Sequence, residues 1–404
     1  MKILFLTNLL PYPLDNGGKI KTYTTLKTFA NAGHNIDLLC FKETSSSIEE
    51  DMETELHKIC RFINQVYTPI TTVTNKKYMI GIAIKSLFSS LPFSIYKYQS
   101  KKMRKKIEEQ LNTQYDIVYF DHLPMCVYLS FAHKLWPKAR MILDEHNCET
   151  VIAKRKIDES HNILKKIFFI IEAYKLEKFE VSSIKNVNKT IVLSTVDYIT
   201  LKRLTNYKFP HSIIPISVPD RGIKKYSDDV VLNILFIGTL TWEPNNVGLI
   251  WFLKEVMPII EYKNLNIHLY IVGKNPSKDV RNLCNFHKEK VTVTGYVDSV
   301  DEYYDLCDVT IVPLFIGSGQ RVKLIEAFSK GMPAISTTIG AEGLEYINNE
   351  SIIIADNKNE FADAIELMQD KNIREKLKNN SRKIYEQYYS PEAILPLIEA
   401  SLKG

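Results

Sequence analysis

Two successive series of alternating strand and helix patterns limit the folds open to this chain more than any other feature. The first half contains short apolar runs that predict strands, at residues 3–7, 36–41, 117–120, 141–143 and 190–193. After a loose stretch at 215–229, more such runs follow, at residues 231–237, 267–272, 291–294, 309–313, 333–336 and 351–355. Helical stretches, such as 19–32 and 245–257, separate the strands, so each half is expected to form a parallel sheet with helices on both faces. The pattern therefore predicts an α/β fold of two Rossmann-like domains with a cleft between them.

The composition agrees with a globular protein of two domains. A chain of 404 residues is long enough for two domains of about 200 residues each. No stretch approaches the roughly 18 to 20 consecutive apolar residues of a membrane span. Asn8, Pro11 and Pro13 interrupt the apolar start of the chain, which predicts a buried strand there and not a signal peptide. The six cysteines show no Cys-x-x-Cys spacing, which indicates reduced thiols in a cytoplasmic protein.

Residues 317–344, GSGQRVKLIEAFSKGMPAISTTIGAEGL, form the most specific functional pattern of the chain. A helix is expected to begin at the glycine-rich turn 317–320, and its unpaired N–H groups and positive dipole end attract an anion. Arg321 and Lys323 add formal charge in the first turn, and Glu326 is expected on the polar face of the same helix. The arrangement suits a phosphate ester at the helix end and a hydroxylated group beside Glu326. A nucleotide-sugar has both groups.

This segment resembles the donor-site signature of the group 1 (family 4) glycosyltransferases, which have the GT-B fold. The version found in the sugar transferases of exopolysaccharide and capsule clusters is the most similar. Its letters fall here on Gly317, Gly319, Arg321, Lys323, Glu326, Ala327, Gly331, Pro333, Thr337, Gly340, Glu342, Gly343 and Leu344. The resemblance implies transfer of a sugar from a nucleotide-diphosphate donor to an acceptor hydroxyl, with retention of the anomeric configuration. It also implies an acceptor domain at 1–215, a donor domain at 216–389, and a C-terminal helix at 390–404 that crosses back to the first domain.

The resemblance assigns roles to residues of the donor site. Arg321 and Lys323 are expected to stabilise the departing nucleoside diphosphate electrostatically, so that no metal and no other cofactor is needed. Glu326 is similar to the second glutamate of the family's E-x7-E motif, which accepts hydrogen bonds from the ribose hydroxyls. The backbone groups of Gly319 and Gln320 are candidates for holding the sugar or its phosphate. The remaining donor-binding candidates are Gly17, Gly18, Thr239, Tyr296, Val297 and Ser318.

Two departures from the family pattern leave alternatives open. Ser318 occupies the position of the first glutamate of the E-x7-E motif, and the loop after Gly238 lacks the Arg and Lys that the family usually supplies there. A non-catalytic GT-B partner subunit is therefore one alternative, and a sugar-nucleotide epimerase on the same scaffold is another. Glu326 could also form an ordinary solvated pair with Lys323.

Polar clusters follow two of the strands predicted for the first domain. Asp121 and His122 follow the strand at 117–120, and a second cluster follows the strand at 141–143, namely Asp144, His146, Asn147 and Glu149. Ligands of open parallel sheets bind outside the carboxyl ends of the strands. The resemblance implies that His122 contacts the donor sugar as a catalytic residue and that the second cluster lies on the acceptor side. Alternatively, the four polar residues of the second cluster could cap a helix that begins near Glu149.

Residues 76–106 are basic and rich in apolar side chains. They contain nine Lys or Arg residues and no acidic residue, a composition that suits an anionic membrane surface. Residues 163–174 add a second apolar and basic stretch. The alternative is a set of helices with apolar cores and solvated lysines. Nucleic-acid binding is not expected, because no recognition motif accompanies the charge. With a glycan or lipid-linked acceptor, the protein is expected to be cytoplasmic and peripheral on the inner face of the cell membrane.

Overall fold

The computed structural model of the chain describes residues 1–14, 16–42, 50–68, 76–159, 162–223, 231–297, 299–317 and 319–403. The chain divides into two compact units, one of Met1–Pro215 with Leu395–Gly404, and one of Ile216–Ile394. Each unit is built around one parallel sheet, which confirms the predicted α/β class. All six cysteines are buried free thiols. Among the described residues, no helix combines the length and the apolar character that crossing a bilayer requires.

The first unit contains a seven-stranded sheet in the order β3-β2-β1-β4-β5-β6-β7. Its strands are β1 (Lys2–Thr7), β2 (Asn35–Lys42), β3 (Phe62–Tyr67), β4 (Ile117–Asp121), β5 (Arg140–Glu145), β6 (Lys189–Val192) and β7 (His211–Ile213). Every neighbouring pair is parallel. The two edge strands, β3 and β7, have no counterpart among the predicted strands. The reason is that β3 is largely half-exposed and includes Asn64 and Gln65, so it lacks a continuous apolar run.

Helices connect the strands of the first unit. They are α1 (Gly17–Asn31), α2 (Glu50–His57), α3 (Lys76–Leu87), α4 (Phe93–Tyr96), α5 (Lys101–Glu108), a 3₁₀ segment (Leu123–Tyr128), α6 (Leu129–Leu135), α7 (Glu149–Glu159), α8 (Ile163–Asn186) and α9 (Thr195–Thr205). Helix α1 begins where it does because the Asn16 side chain accepts a hydrogen bond from the Lys19 N–H. Gly17 and Gly18 are thus the first residues of this helix.

The second unit contains a six-stranded parallel sheet in the order β10-β9-β8-β11-β12-β13. Its strands are β8 (Leu232–Ile237), β9 (Ile267–Val272), β10 (Val291–Gly295), β11 (Val309–Val312), β12 (Ala334–Ser336) and β13 (Ile353–Ile354). Its helical elements are α10 (Glu243–Trp251), a π-helical segment (Phe252–Val256), α11 (Met257–Tyr262), α12 (Lys278–Phe286), α13 (Asp301–Leu306), α14 (Val322–Lys330), α15 (Lys358–Leu367) and α16 (Lys371–Tyr388). The last helix, α17 (Pro391–Leu402), begins in this unit and ends in the first.

Helix α14 begins later than the sequence predicts. The expected start was the turn at 317–320, but the helix begins at Val322 with Arg321 as its N-cap. Gly317 and Gly319 have φ values of 118° and 80°, which the right-handed helix cannot contain. The glycine turn is therefore a separate loop that precedes the helix. The helix ends at Lys330, and its C-cap Gly331 has a φ of 65°, the left-handed conformation common at helix C-termini.

The cores of the two units lie around the central strands of each sheet. Ile3, Leu4, Phe5 and Leu6 of β1 are completely buried, which explains why this strand reads as a continuous apolar run. In the second unit, Leu235 and Phe236 of β8 are equally inaccessible. Polar loops follow the carboxyl ends of β1, β4, β5, β8 and β11, and these loops hold most of the predicted site residues.

Candidate functional site

In the second unit, Lys323 lies against the loop that follows β8. The Lys323 Nζ donates a hydrogen bond of 2.9 Å to Asn245 Oδ1, and the Asn245 Nδ2 donates one of 3.1 Å to the Thr239 carbonyl oxygen. The Lys323 ammonium also lies 5.0 Å from the ring centre of Phe236, at the end of β8. The structure therefore brings the predicted catalytic Lys323 together with the predicted donor-binding Thr239, through an asparagine that the sequence indicated only as part of a helix start.

Arg321 and Lys323 form a cationic pair at the start of α14. Burial and then the charge of Arg321 lower the pKa of Lys323 to about 7. Arg321 is 7% exposed and lies 5.8 Å from the ring centre of Trp242. A Cβ atom added to Gly317 would lie 2.7 Å from the Arg321 Nη2, so the glycine lets the guanidinium pack against the turn. An anion bound here would meet two positive groups in a partly desolvated environment.

Glu326 is held by a partner that the sequence did not indicate. Arg221 Nη2 donates a hydrogen bond of 2.5 Å to Glu326 Oε1, and the Tyr304 hydroxyl donates one of 3.2 Å to Oε2. Arg221 also pairs with Asp301. The polar face of α14 is thus buried, and the alternative of a solvated pair between Lys323 and Glu326 is wrong, because Glu326 is 7% exposed and faces Arg221.

The segment that carries Arg221 is attached to α16 through the preceding residue, Asp220. Both oxygens of Asp220 pair with the guanidinium of Arg382 on α16, at 2.7 and 2.6 Å. Those hydrogen bonds lower the pKa of Asp220 to about 2. The sequence predicts only a loose stretch at 215–229, since the composition there is that of a linker. The one signal in the sequence is the run PDRG at 219–222, typical of a turn, and nothing in it points to Glu326.

The other predicted donor-site residues have different surroundings. The Gln320 side chain is buried; its Oε1 accepts a hydrogen bond from the Ile216 N–H and its Nε2 donates one to the Gly343 oxygen, both 2.8 Å long. It therefore joins the glycine turn to two other segments. Tyr296 is 67% exposed, and Val297 packs on a small core cluster that includes Tyr304. The prediction for Ser318 lies outside the described residues.

In the first unit, a hydrogen-bond network is centred on the buried Asp121. Its Oδ2 accepts hydrogen bonds of 2.7 Å from the hydroxyls of Thr7 and Thr22, and it lies 3.1 Å from His122 Nδ1. Its Oδ1 lies 2.9 Å from His146 Nε2. Asp121, His122 and His146 are close enough together to be considered as metal ligands. The hydrogen bonds, however, already account for both oxygens of the aspartate.

The pKa values of the two histidines in this network shift in opposite directions. Their ring centres are 3.5 Å apart. Burial lowers the pKa of His122 and the Asp121 carboxylate raises it, and the pKa is raised on balance. Burial, His122 and Lys21 lower the pKa of His146 to about 4. Of the two rings, His122 is therefore the one that more readily becomes positively charged. Its Nε2 lies 3.5 Å from where a Cβ on Gly18 would be.

Asp144, predicted on the acceptor side, is completely buried. It pairs with Lys21 and accepts a hydrogen bond of 2.6 Å from the Tyr119 hydroxyl. The buried Lys21 was not singled out in the sequence, since it lies in an ordinary helical stretch of α1. The Asp144 carboxylate therefore has no exposed surface with which to contact an acceptor directly.

Carboxylates surround the start of α7. This helix begins at Glu149, the start that the capping alternative expects, but its first N–H groups are capped from α8. Glu180 accepts hydrogen bonds from the Glu149 and Thr150 N–H groups. Burial raises the pKa of Glu180 to about 7 and raises that of the half-buried Glu149, which accepts a hydrogen bond from Asn147. Glu145 is 2% exposed, neither of its oxygens has a hydrogen-bond partner, and burial raises its pKa well above the usual range.

Comparison with known proteins identifies the class of protein that has this fold and these loops. Residues 232–370 match the family described as glycosyl transferases group 1. The match confirms the resemblance to the group 1 (family 4) glycosyltransferases that the signature at 317–344 predicts, and it supports the activity of a nucleotide-sugar glycosyltransferase.

Individual relatives extend the comparison. An uncharacterised 44.6 kDa protein in the cps region of Klebsiella pneumoniae is 28% identical over 374 residues, which cover 89% of each chain. Among solved structures, sucrose-phosphate synthase of Thermosynechococcus elongatus matches with a TM-score of 0.72 at 15% identity, covering 99% of this chain and 98% of that one. HepE of Anabaena, solved in complex with UDP, matches with a TM-score of 0.65 at 11% identity, covering 100% and 99%. The predicted GT-B fold class is confirmed.

Proposed function

We propose that this protein transfers a sugar, with retention of its anomeric configuration, from a nucleotide-diphosphate sugar to a hydroxyl of a lipid-linked glycan in the synthesis of a bacterial surface polysaccharide. The observation that carries the proposal is the set of charged groups around the start of α14. Arg321 and Lys323 supply positive charge beside the glycine turn, and Glu326 is held in one orientation within the next turn of the helix. The capsule-region relative supports the polysaccharide assignment.

The charges of α14 match the two halves of a nucleoside diphosphate. Arg321 can bind a phosphate through two parallel N–H groups, and Lys323 adds a second positive group. Both are desolvated, so their attraction for a developing phosphate charge is stronger than in water. Glu326 is oriented by Arg221 and Tyr304, which prepares its carboxylate to accept hydrogen bonds from ribose hydroxyls. A UDP-sugar is the first donor to test, because HepE was solved in complex with UDP.

In the first unit, we propose that His122 contacts the transferred sugar and that the loop after β5 meets the acceptor. His122 is partly exposed and has a fixed orientation, because Asp121 binds its Nδ1. Glu149 and Asn147 are half-buried at the same end of the sheet. Burial raises the pKa of Glu149, so this carboxyl keeps its proton, and can donate a hydrogen bond, to a higher pH than a solvated glutamate does.

We further propose that the reaction needs no metal ion, because Arg321 and Lys323 neutralise the departing diphosphate. Activity measured after removal of divalent ions with EDTA tests this point. If the activity disappears with EDTA and returns with Mg²⁺ or Zn²⁺, the proposal of metal independence is wrong, and the group of Asp121, His122 and His146 becomes the first place to look.

The donor assignment is tested by thermal shift with a panel of UDP-, GDP- and dTDP-sugars, since a ligand of the native state raises the melting temperature. One of these donors is expected to stabilise the wild type. Arg321→Ala should abolish that shift, whereas Arg281→Ala, on the exposed side of α12, should leave it unchanged. If Arg321→Ala retains the full shift, the diphosphate does not bind at α14.

The reaction is tested by product analysis with the donor so identified. Transfer to a lipid-linked acceptor, with an unchanged anomeric configuration by NMR, is the expected result. Conversion of the donor without any acceptor would instead indicate an epimerase. Donor binding without turnover on any acceptor would favour a non-catalytic partner subunit, the alternative that Ser318 and the uncharged loop after Gly238 keep open.

A further inference from the structure

Helix α8 has a row of apolar side chains that face solvent. The row is formed by Ile163, Ile167, Ile170 and Tyr174, all of them exposed. Their spacing of four, three and four residues places them on one face of the helix. Leu164, 75% exposed, lies beside this row, while Ala173 and Leu176 on another face are buried in the core of the unit. A core helix needs only one apolar face, so the second one requires an explanation.

Helix α3 has the same unusual character. Met79 and Ile82 are buried, but apolar side chains on another face are exposed, namely Ile80, Ile84 and Leu87, followed by Phe88 just after the helix. Phe88 is 89% exposed. Exposing so many large apolar groups costs free energy unless something else covers them.

One side chain of α8 contacts the end of α3, and two further contacts join α8 to α4. The Lys175 Nζ of α8 donates hydrogen bonds to the carbonyl oxygens of Ser86 (2.8 Å), Leu87 (3.0 Å) and Ser89 (2.7 Å), where α3 ends. Glu172 of α8 accepts hydrogen bonds from the N–H groups of Phe93 and Ser94 at the start of α4. The ring of Phe93 also contacts that of Phe168, with centres 6.2 Å apart.

The exposed rows of α3 and α8 therefore belong to neighbouring elements, and we call them together the α3–α8 surface. It consists of Ile80, Ile84, Leu87, Phe88, Ile163, Leu164, Ile167, Ile170 and Tyr174.

The two helices that carry the α3–α8 surface also carry exposed lysines. Lys77, Lys85, Lys165 and Lys166 are exposed on the same two helices. Residues 76–106 contain no acidic residue, and the one acidic residue of 163–174 is Glu172, which is buried and bonded to α4. Large apolar side chains among lysines are what an anionic lipid surface attracts, since the chains enter the boundary region and the cations meet the headgroups. Protein interfaces, by contrast, are poor in lysine.

We propose that the α3–α8 surface docks this protein on a bilayer containing anionic phospholipid. The inference is independent of the sugar-transfer reaction, because it rests on contacts of α3, α4 and α8 alone and needs no donor. Docking here would keep the protein at the surface where a lipid-linked acceptor is found.

Binding of the full chain to phosphatidylcholine vesicles, with and without phosphatidylglycerol, tests the proposal by flotation. The wild type is expected to float with the anionic vesicles and to be released by salt. Ile163→Glu with Ile167→Glu should weaken binding about tenfold or more, and Lys165→Gln with Lys166→Gln should also weaken it. The matched controls are Val196→Glu with Ile199→Glu, exposed on α9, and Lys202→Gln with Lys208→Gln. Neither control should change vesicle binding.

The melting temperature of each variant, with and without the nucleotide-sugars above, shows that folding and donor binding are intact. Vesicle binding that survives the Ile163 and Ile167 substitutions would overturn the proposal. A wild type that binds neither kind of vesicle would overturn it as well. In that case, a dimer seen by sedimentation and disrupted by the same substitutions would assign the surface to contact with a second copy of the chain.

Discussion

Binding of a nucleotide-diphosphate sugar should draw a proton onto Lys323. The free protein holds this ammonium in a half-buried position beside Arg321, and its pKa is lowered to about 7. A bound diphosphate places negative charge next to it and favours the protonated form. Donor affinity should therefore be full below the free-state pKa and decline as the pH rises through it.

The size of the effect follows from that pKa. At pH 8 only about one-tenth of the free protein carries the proton, so binding should take up about 0.9 proton. The dissociation constant should be about tenfold larger at pH 8 than at pH 6, which corresponds to about 1.4 kcal/mol. The sugar-linked diphosphate is the right probe, because it has no phosphate group that titrates in this range.

Calorimetric titration at pH 8 in buffers of different ionisation enthalpy measures the proton uptake directly. Lys323→Arg is the informative variant, since arginine stays charged at this pH. It should bind with little pH dependence and without the proton uptake. A wild type that takes up no proton at pH 8 would refute this reasoning, and so would a Lys323→Arg variant with the same uptake, which would move the titrating group to another residue such as His122.

Other predictions concern stability and the orientation of Glu326. Arg221→Ala should weaken donor binding about tenfold and Arg221→Lys should restore part of it, because the freed Glu326 carboxylate loses its fixed partner; unchanged affinity in a titration of Arg221→Ala would exclude this positioning role. Gly248→Ala should destabilise the second unit by about 1 to 3 kcal/mol in urea unfolding, since a Cβ there would lie 2.0 Å from the Pro313 oxygen, whereas Gly81→Ala, with open space around it, should cost nothing. The pKa of His146, about 4 in the folded protein, lies below that of an unfolded histidine, so the unfolded state binds more protons between about pH 6.5 and 4. The free energy of unfolding should therefore fall as the pH drops through that window, and His146→Gln should flatten this fall; equal slopes in the two proteins would contradict it.

Much of the fold could be predicted because its signals are local. The strands β1 and β8 are buried on both faces, and such strands appear as continuous apolar runs. The edge strands β3 and β7 were not predicted for the converse reason. An edge strand that is partly exposed to solvent does not need a continuous run of apolar residues. The glycine turn before α14 was also visible, but its effect on the start of the helix was not. Whether a glycine begins a helix or precedes one depends on its φ value, and composition does not reveal φ.

The donor-site signature is a local pattern as well, and residues 317–344 alone were enough to indicate the family. What they could not indicate is the environment of their own side chains. Glu326 is oriented by Arg221, from a segment that resembles a linker, and Lys323 is bonded to Asn245 on a different loop. In the first unit, Lys21 and Asp144 meet although more than a hundred residues separate them.

Apolar periodicity and turn chemistry act between residues close in the chain, so the amino-acid order already specifies the strands, the helices and the family signature. Ion pairs between distant residues exist only once the parallel strands have aligned and brought their carboxyl ends to one edge. Burial then changes the proton affinities of the groups gathered there, such as Lys323 and His146, because the protein replaces the water that would otherwise solvate their charges. The distant ion pairs and the shifted pKa values are therefore properties of the folded chain and cannot be predicted from the amino-acid sequence alone.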